Sequence, residues 1–283
     1  GYEAPLESGL YIVATPIGNL GDISARALEV LRDADLVAAE DTRHSQRLLQ
    51  HFGIETPMAA YHDHSDERAA GRILDKLEGG GAVALVSDAG TPLISDPGFR
   101  LVRQVQDAGF RVFPVPGACA AVAALSASGL PTDRFLFEGF LPSKASARAD
   151  RIMTLASERA TLVLYEAPHR LEATLQALAE GVGSEREAVL AREISKAFET
   201  IRRGSLAELL AFVRADSNQQ RGEIVLLVRG RDSGADEPDP RLLRLLEAMA
   251  GEMPGKRAAA LLAEFSGARK NALYQYLLDQ REN

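Results

Sequence analysis

Cys119 is the one thiol in a chain of 283 residues. A single cysteine excludes an intramolecular disulfide and suits a reducing compartment, so a cytoplasmic location is expected. Long hydrophobic runs are missing too. The nearest, residues 117–130, is dominated by Ala, Gly and Ser and falls short of the about 20 apolar residues a membrane helix needs, so no membrane partner is expected. The first residues, Gly-Tyr-Glu-Ala-Pro, lack the charged-then-apolar pattern of a secretory signal. Gly1 in place of Met reads as a trimmed start and leaves a removed presequence open. Neither G-x-G-x-x-G nor a Walker P-loop occurs, so a nicotinamide or ATP reading lacks its fingerprint. Positive charge is not in excess either. The net charge is −8, which argues against non-specific binding to naked nucleic acid.

The composition that remains, 46% hydrophobic and 25% charged, is that of an ordinary globular protein. The length allows two domains and an ample core. The chain is organised around Ser87-Asp-Ala-Gly-Thr-Pro-Leu-Ile-Ser-Asp-Pro-Gly98. This loop follows an apolar run, 82–86, that reads as a buried parallel strand. It precedes Phe99, Leu101, Val102 and Val105, which share a helical face. Ligands bind at such strand-to-helix turns in open α/β sheets. Gly90 permits close approach to the backbone, and Pro97 with Gly98 suits a first helical turn. Asp88 and Asp96 are carboxylates where folding needs no charge. The alternative is a tight connection with two capping aspartates.

Further strands are expected over 10–14, 36–39, 58–61 and 111–115, alternating with helices, which spells a parallel sheet. Asp22 is a candidate cap for a helix carrying Ala27, Leu28 and Leu31. Residues 120–128 read as a helix of small residues. The texture changes at 129–133. Strands over 135–140, 161–165, 188–192, 199–203 and 224–228 then imply a mixed sheet, with a basic loop or helix start at 141–149 and a helix marked by Leu171, Leu175 and Leu178. An acidic linker, 231–240, leads to three amphipathic helices. These carry Leu242, Leu245, Leu246 and Met249, then Ala259, Leu262 and Phe265, then Leu273, Tyr276 and Leu277. Their spacing suits a helix-turn-helix or a helical tail packed on the body. The expected organisation is therefore an N-terminal α/β domain (1–130), a second α/β domain with a mixed sheet (131–232), and a linker with a helical domain (233–283).

Several motifs together resemble one family. They are Thr15-Pro-Ile-Gly-Asn-Leu-Gly-Asp22, Ala39-Glu-Asp-Thr-Arg-His44, the 87–98 loop, Pro116-Gly-Ala-Cys119, Glu166-Ala-Pro-His-Arg170 and Gly222-Glu-Ile-Val-Leu-Leu227. In this order they resemble the bacterial small-subunit rRNA (cytidine-2′-O)-methyltransferases of the tetrapyrrole methylase superfamily. The resemblance implies an S-adenosylmethionine-dependent homodimer of two α/β domains, with the cofactor folded in the cleft between them. Its implied substrate is a cytidine ribose of 16S rRNA in the assembled small subunit. Carried over, the cofactor contacts are Pro16, Asp88, Gly90, Thr91, Leu93, Ile94, Cys119 and Ala120, with Tyr165, Ala191, Gly222, Glu223 and Ile224 from the second domain.

A ribose hydroxyl needs its proton drawn off or its developing charge met. Asp41, Glu166, Glu193 and Glu199 stand at expected strand ends, with Glu193 and Asp41 the first candidates for a catalytic base. Interdomain salt bridges are the alternative for each. Arg43, Lys144, Arg148, Arg192, Lys196, Arg269 and Lys270 are candidates to contact the RNA. His62 and His64 lie on one face of any strand there, but a metal site needs more ligands, and methyl transfer needs no metal. Two rivals stay open: a methylase of a tetrapyrrole or other small molecule, and a cofactor-binding module without catalysis.

Overall fold

The computed structural model describes residues 5–62, 67–95, 98–232 and 238–283. Asp63, His64, Asp96, Pro97 and residues 233–237 of the expected linker therefore lie outside the described residues. The chain divides into two units, Gly1–Ala123 with Glu193–Glu199, and Ala124–Arg192 with Thr200–Asn283.

The first unit holds five parallel strands: β1 (Gly9–Val13), β2 (Leu36–Ala39), β3 (Met58–Ala60), β4 (Ala82–Val86) and β5 (Val112–Val115), in the order β3-β2-β4-β1-β5. Alternate residues along each strand point to opposite faces. Tyr11, Val13, Val37, Ala84 and Val86 meet Val30 and Leu31 of α1 (Ala25–Asp33) and Leu49 of α2 (Thr42–His51). Leu10, Ile12, Ala38, Val83 and Leu85 meet Ile73 and Leu77 of α3 (Glu67–Glu78) and Leu101 and Val105 of α4 (Phe99–Asp107). Both faces being covered explains why these strands read as unbroken apolar runs. The crossovers from β1 and β2 run one way along the sheet, over α1 and α2. Those from β3 and β4 run the other way, over α3 and α4. The direction therefore reverses between neighbouring strands, β1 and β4 among them, and open α/β sheets bind ligands at the carboxyl ends of such pairs.

Two local expectations change. Ser24, not Asp22, caps α1 by accepting a bond from the Ala27 N–H at 2.9 Å. Asp22 instead closes a short 3-10 turn. Phe99 sits at the open start of α4 and is 69% exposed, whereas Leu101 and Val105 are fully buried.

α5 (Ala120–Ala127) leads to the second sheet, formed by β6 (Phe135–Phe140), β7 (Thr161–Glu166), β8 (Glu187–Arg192), β9 (Thr200–Ser205) and β10 (Ile224–Val228). Its order is β6-β7-β10-β8-β9. Only the β6–β7 pair is parallel, so the sheet is mixed. One face carries Leu164, Leu190, Leu226 and Val228 against α6 (Ala145–Leu155), α7 (Leu171–Val182) and α8 (Leu206–Ala215). Leu171, Leu175 and Leu178 of α7 are fully enclosed. Burying each such side chain is worth about 2 kcal/mol.

The final helices, α9 (Pro240–Ala250), α10 (Gly255–Ser266) and α11 (Lys270–Glu282), share a small core around Leu246, Leu262 and Leu273. Pro240 opens α9, and Gly267 ends α10 at φ +76°, a left-handed cap. Phe265 is not part of that core, being 85% exposed. Among the described residues no helix is long and apolar enough to cross a membrane.

Candidate functional site

The loops leaving β1, β4 and β5 meet at the carboxyl ends of the first sheet. Thr15 and Gly90 form an isolated antiparallel bridge, each N–H donating to the other's carbonyl at 3.0 Å. The Thr91 hydroxyl donates to the Ala118 carbonyl at 2.8 Å, tying the second loop to the third. The Ser87 hydroxyl folds back onto the carbonyls of Ala89 and Gly90. The His44 ring, from α2, bonds the Asp88 carbonyl at 2.8 Å. A carbonyl only accepts, so His44 Nε2 carries the proton.

Gly90 adopts φ +79°, and a Cβ there would stand 3.2 Å from Ile17 Cγ2 and 3.5 Å from the Ala118 carbonyl oxygen. The loop needs glycine for both conformation and space. Leu93 and Ser95 hold φ of 78° and 66°, where side chains are strained. Such strain is typical of ligand clamps. Pro16, Thr91, Leu93, Cys119 and Ala120 are half-buried, while Asp88 and Ile94 are exposed. Thus Pro16, Asp88, Gly90, Thr91, Leu93, Ile94, Cys119 and Ala120 come together on three linked loops, which offer mainly backbone groups.

Residues 193–199 also belong to the first unit. Glu193 and Ser195 take positive φ, 53° and 71°. The Lys196 ammonium lies 2.7 Å from the Glu193 carboxylate. The Lys196 stem crosses Gly18, where a Cβ would be 2.5 Å from Lys196 Cγ. The Ser195 hydroxyl donates to the Asp22 carboxylate. Gly18, Ser195 and His44 carry no individual role in the sequence reading, and Asp22 is read there only as a helix cap. Gly18 had a visible signal, a glycine in a Pro-Ile-Gly-Asn turn. The Asp22–Ser195 bond had none.

The other candidate acids are engaged elsewhere. Asp41 caps α2, with one carboxylate oxygen accepting from the Arg43 and His44 N–H groups at 3.0 and 3.2 Å. Glu166 is buried, accepting from the Ala167 N–H at 2.7 Å and the Thr174 hydroxyl at 2.6 Å, with Arg170 at 3.3 Å. Glu199 accepts from the Ser195 N–H at 2.9 Å.

In the second unit, Tyr165, Val225 and Ala191 form one row across the sheet, and Glu166, Ile224 and Arg192 the next. Tyr165, Ala191 and Ile224 therefore lie at one end of that sheet, with Gly222 and Glu223 just before β10. Tyr165 meets Phe137 and Phe140 edge-on, at centroid distances of 5.0 and 5.9 Å. Ala191 and Ile224 are buried, so their side chains serve packing.

The candidate RNA contacts divide. Arg43, Lys144, Arg269 and Lys270 are exposed and Lys196 half-buried. Arg192 is buried and donates to Gln219 Oε1, the Arg221 carbonyl and the Thr200 hydroxyl at 3.2–3.3 Å. Those bonds tie β8 to β9 and to the turn before β10. Its neighbour Asp216 has its carboxyl held below the usual range by the Gln219 amide, the Asn218 N–H and the Arg192 charge. Arg148 is not the surface cation its sequence suggests, being 8% exposed. Among the described residues, no group of three or more His, Cys, Asp or Glu could hold a metal.

Residues 9–210 match the family model for tetrapyrrole (corrin/porphyrin) methylases, and residues 235–281 match that for the RsmI C-terminal HTH domain. The chain is 60% identical to "Ribosomal RNA small subunit methyltransferase I" of Pseudomonas aeruginosa, over 96% of this chain and 97% of that one. The Escherichia coli O157:H7 protein of the same name is 52% identical, over 96% and 95%. Among solved structures, a cobalamin biosynthetic enzyme, cobalt precorrin-4 methyltransferase, superposes with a TM-score of 0.58 at 20% identity, covering 78% of this chain and 94% of that one. That likeness speaks for the fold alone.

Proposed function

The chain belongs to the tetrapyrrole (corrin/porphyrin) methylase family, and from that premise we propose that it methylates the 2′-hydroxyl of a cytidine ribose in 16S rRNA of the small ribosomal subunit. It is an S-adenosylmethionine-dependent rRNA methyltransferase. The observation that carries the reading is the Thr15–Gly90 bridge at the reversal between β1 and β4, in a chain 60% identical to a named small-subunit rRNA methyltransferase.

The loops suit the cofactor. Its amino, carboxylate and ribose groups call for backbone donors and acceptors at close range, and glycine at position 90 lets this loop pack against Ile17 and the Ala118 carbonyl of the neighbouring loop. Residues 88–94 and 118–120 are the candidate cofactor contacts in the first unit, and Tyr165, Ala191 and residues 222–224 are those in the second. The bound cofactor supplies an electrophilic sulfonium methyl. Transfer forms an O–CH3 bond as the S–CH3 bond breaks and the neutral thioether leaves, so the chain must align the 2′-oxygen and take its proton. Glu193 is the better of the two candidate bases. Its carboxylate is free of any helix-capping duty and faces the Lys196 ammonium, whereas Asp41 is spent on the α2 cap. Lys196 would meet the developing oxyanion or a neighbouring phosphate. Arg43, Lys144, Arg148, Arg269 and Lys270 are the proposed RNA contacts. A homodimer in the cytoplasm fits this role.

The test is incubation with labelled S-adenosylmethionine and unmethylated small subunits. Label is expected in a cytidine ribose of 16S rRNA. Label only in a porphyrinoid, or binding without transfer, would replace this reading with one of its two rivals.

A further inference from the structure

We propose that the amino-terminal end of α6 is a phosphate site with Arg148 as its fixed cation, and that the phosphate is one in the backbone of the RNA substrate. The source of the phosphate rests on the function proposed above; the site does not.

α6 runs for 11 residues from Ala145, and its N-cap residue, Lys144, makes no side-chain cap hydrogen bond. The N–H groups of the first turn therefore lack the partner a cap supplies, and the helix dipole adds positive charge there. Ser143, Lys144, Ala145 and Ser146 are all exposed, so an anion in solution can reach them. A helix start alone is no site. Arg148 is the second observation. It is more than nine-tenths buried, at 8% exposure. Its Nη1 donates to the Ser143 carbonyl at 3.2 Å, which folds the guanidinium back to the start of its own helix. Its Nε is buried and has no acceptor.

Among the described residues Arg148 has no ion-pair partner. One turn further along α6, Arg151 is paired with Glu138. Asp150 is exposed two residues on, a spacing that points to another side of the helix. A buried guanidinium without an anion is an incomplete arrangement. Phosphate completes it. The planar fork of arginine matches two phosphate oxygens, the helix start supplies further N–H donors, and Lys144 adds a mobile charge. The same geometry explains how a chain of net charge −8 can grip an RNA backbone locally.

The experiment uses the full chain. Thermal unfolding is followed in inorganic phosphate and in chloride at matched ionic strength. Methylation of unmethylated small subunits is then measured across a salt series. The variants are Arg148→Gln and Ser146→Asp. The second keeps the hydrophobic core intact and places a carboxylate where the helix dipole favours it, so it folds even if the first does not. Phosphate, and not chloride, is expected to raise the melting temperature of the parent chain. Ser146→Asp should abolish that response, raise KM for subunits about tenfold with cofactor affinity unchanged, and flatten the salt slope by ~0.7 for one single-strand contact. An equal phosphate response in the parent and Ser146→Asp overturns the site. A lost response with unchanged KM and slope overturns RNA as the source and assigns the site to a free anion. A parent chain that responds to phosphate but methylates no rRNA supports the site and removes the functional reading instead.

Discussion

The loops leaving β1, β4 and β5 are joined mainly through their main chain, by the Thr15–Gly90 bridge and the Thr91–Ala118 bond. The end of the second sheet is built in the opposite way. Glu166 and Arg192 point their charges inward and spend them on Thr174, Ala167, Gln219, Arg221 and Thr200. The first sheet's loops are held by backbone-to-backbone and hydroxyl-to-carbonyl bonds. The end of the second sheet is held by charges that are already satisfied. Charged residues at strand ends are thus poor markers of chemistry when burial lets them bond each other, and glycines at loop tips are better ones.

The largest effect that could break this contrast is at Glu166. Glu166→Ala should strand the Thr174 hydroxyl, the Ala167 N–H and the Arg170 guanidinium in or near the core, and cost about 3 kcal/mol. Urea unfolding would show it as a lower midpoint with an unchanged slope. If stability holds and methylation vanishes, Glu166 takes part in the reaction and the two sheets are alike.

Gly90→Ala is the counterpart in the first sheet. Forcing a Cβ into φ +79° costs about 1–2 kcal/mol, and the new methyl crowds Ile17. The expected result is about tenfold weaker S-adenosylmethionine binding by calorimetry, with a smaller change in melting temperature than Glu166→Ala gives. A substitution that unfolds the chain while sparing affinity in the folded fraction would make Gly90 a folding residue only.

The parallel sheet was legible because both of its faces are buried. Runs such as 36–39 and 82–86 are apolar at every position, and glycines punctuate the turns. α8 was missed although its signal was present, in the spacing of Leu206, Leu209, Leu210 and Val213 and the Ser205/Glu208 capping box. Residue type alone does not tell a solvated arginine from an enclosed one, so Arg148 and Arg192 read as surface cations. Helical spacing placed Phe99 and Phe265 on apolar faces, but each stands at the end of its helix, where the packing partner has run out. The attachment of residues 193–199 to the first unit was invisible, since Asp22 and Ser195 are 173 positions apart. The proposed cofactor loops were legible by motif, and their backbone bridge was not.

Arg192 sharpens the contrast with a smaller effect. Arg192→Lys keeps the charge but loses the fork that reaches Gln219, Arg221 and Thr200 together, and should cost about 2 kcal/mol. The salt dependence of subunit binding should not change. Lys196→Ala should do the reverse, lowering kcat with little change in melting temperature, because its ammonium serves Glu193 rather than the core. A flatter salt slope for Arg192→Gln, which removes the charge, would return that residue to the RNA surface.

The smallest effect lies at Asp216, on the rim of the same network. Its carboxyl is held low by the Gln219 amide first, then the Asn218 N–H and the Arg192 charge. A carboxyl with a lowered folded-state pKa binds its proton more readily in the unfolded chain. Its stabilisation is therefore fully present above pH ~4 and is lost as the pH falls through the folded value. Asp216→Asn should remove that part of the acid dependence and leave neutral-pH stability slightly lower. Because Asp216 is solvent-exposed, the difference should shrink in high salt. Combining it with Arg192→Lys tests whether the two act as one network: a double variant whose acid unfolding matches that of Arg192→Lys alone places Asp216 under the control of the guanidinium, and strict additivity would show that the turn before β10 holds the carboxylate by itself.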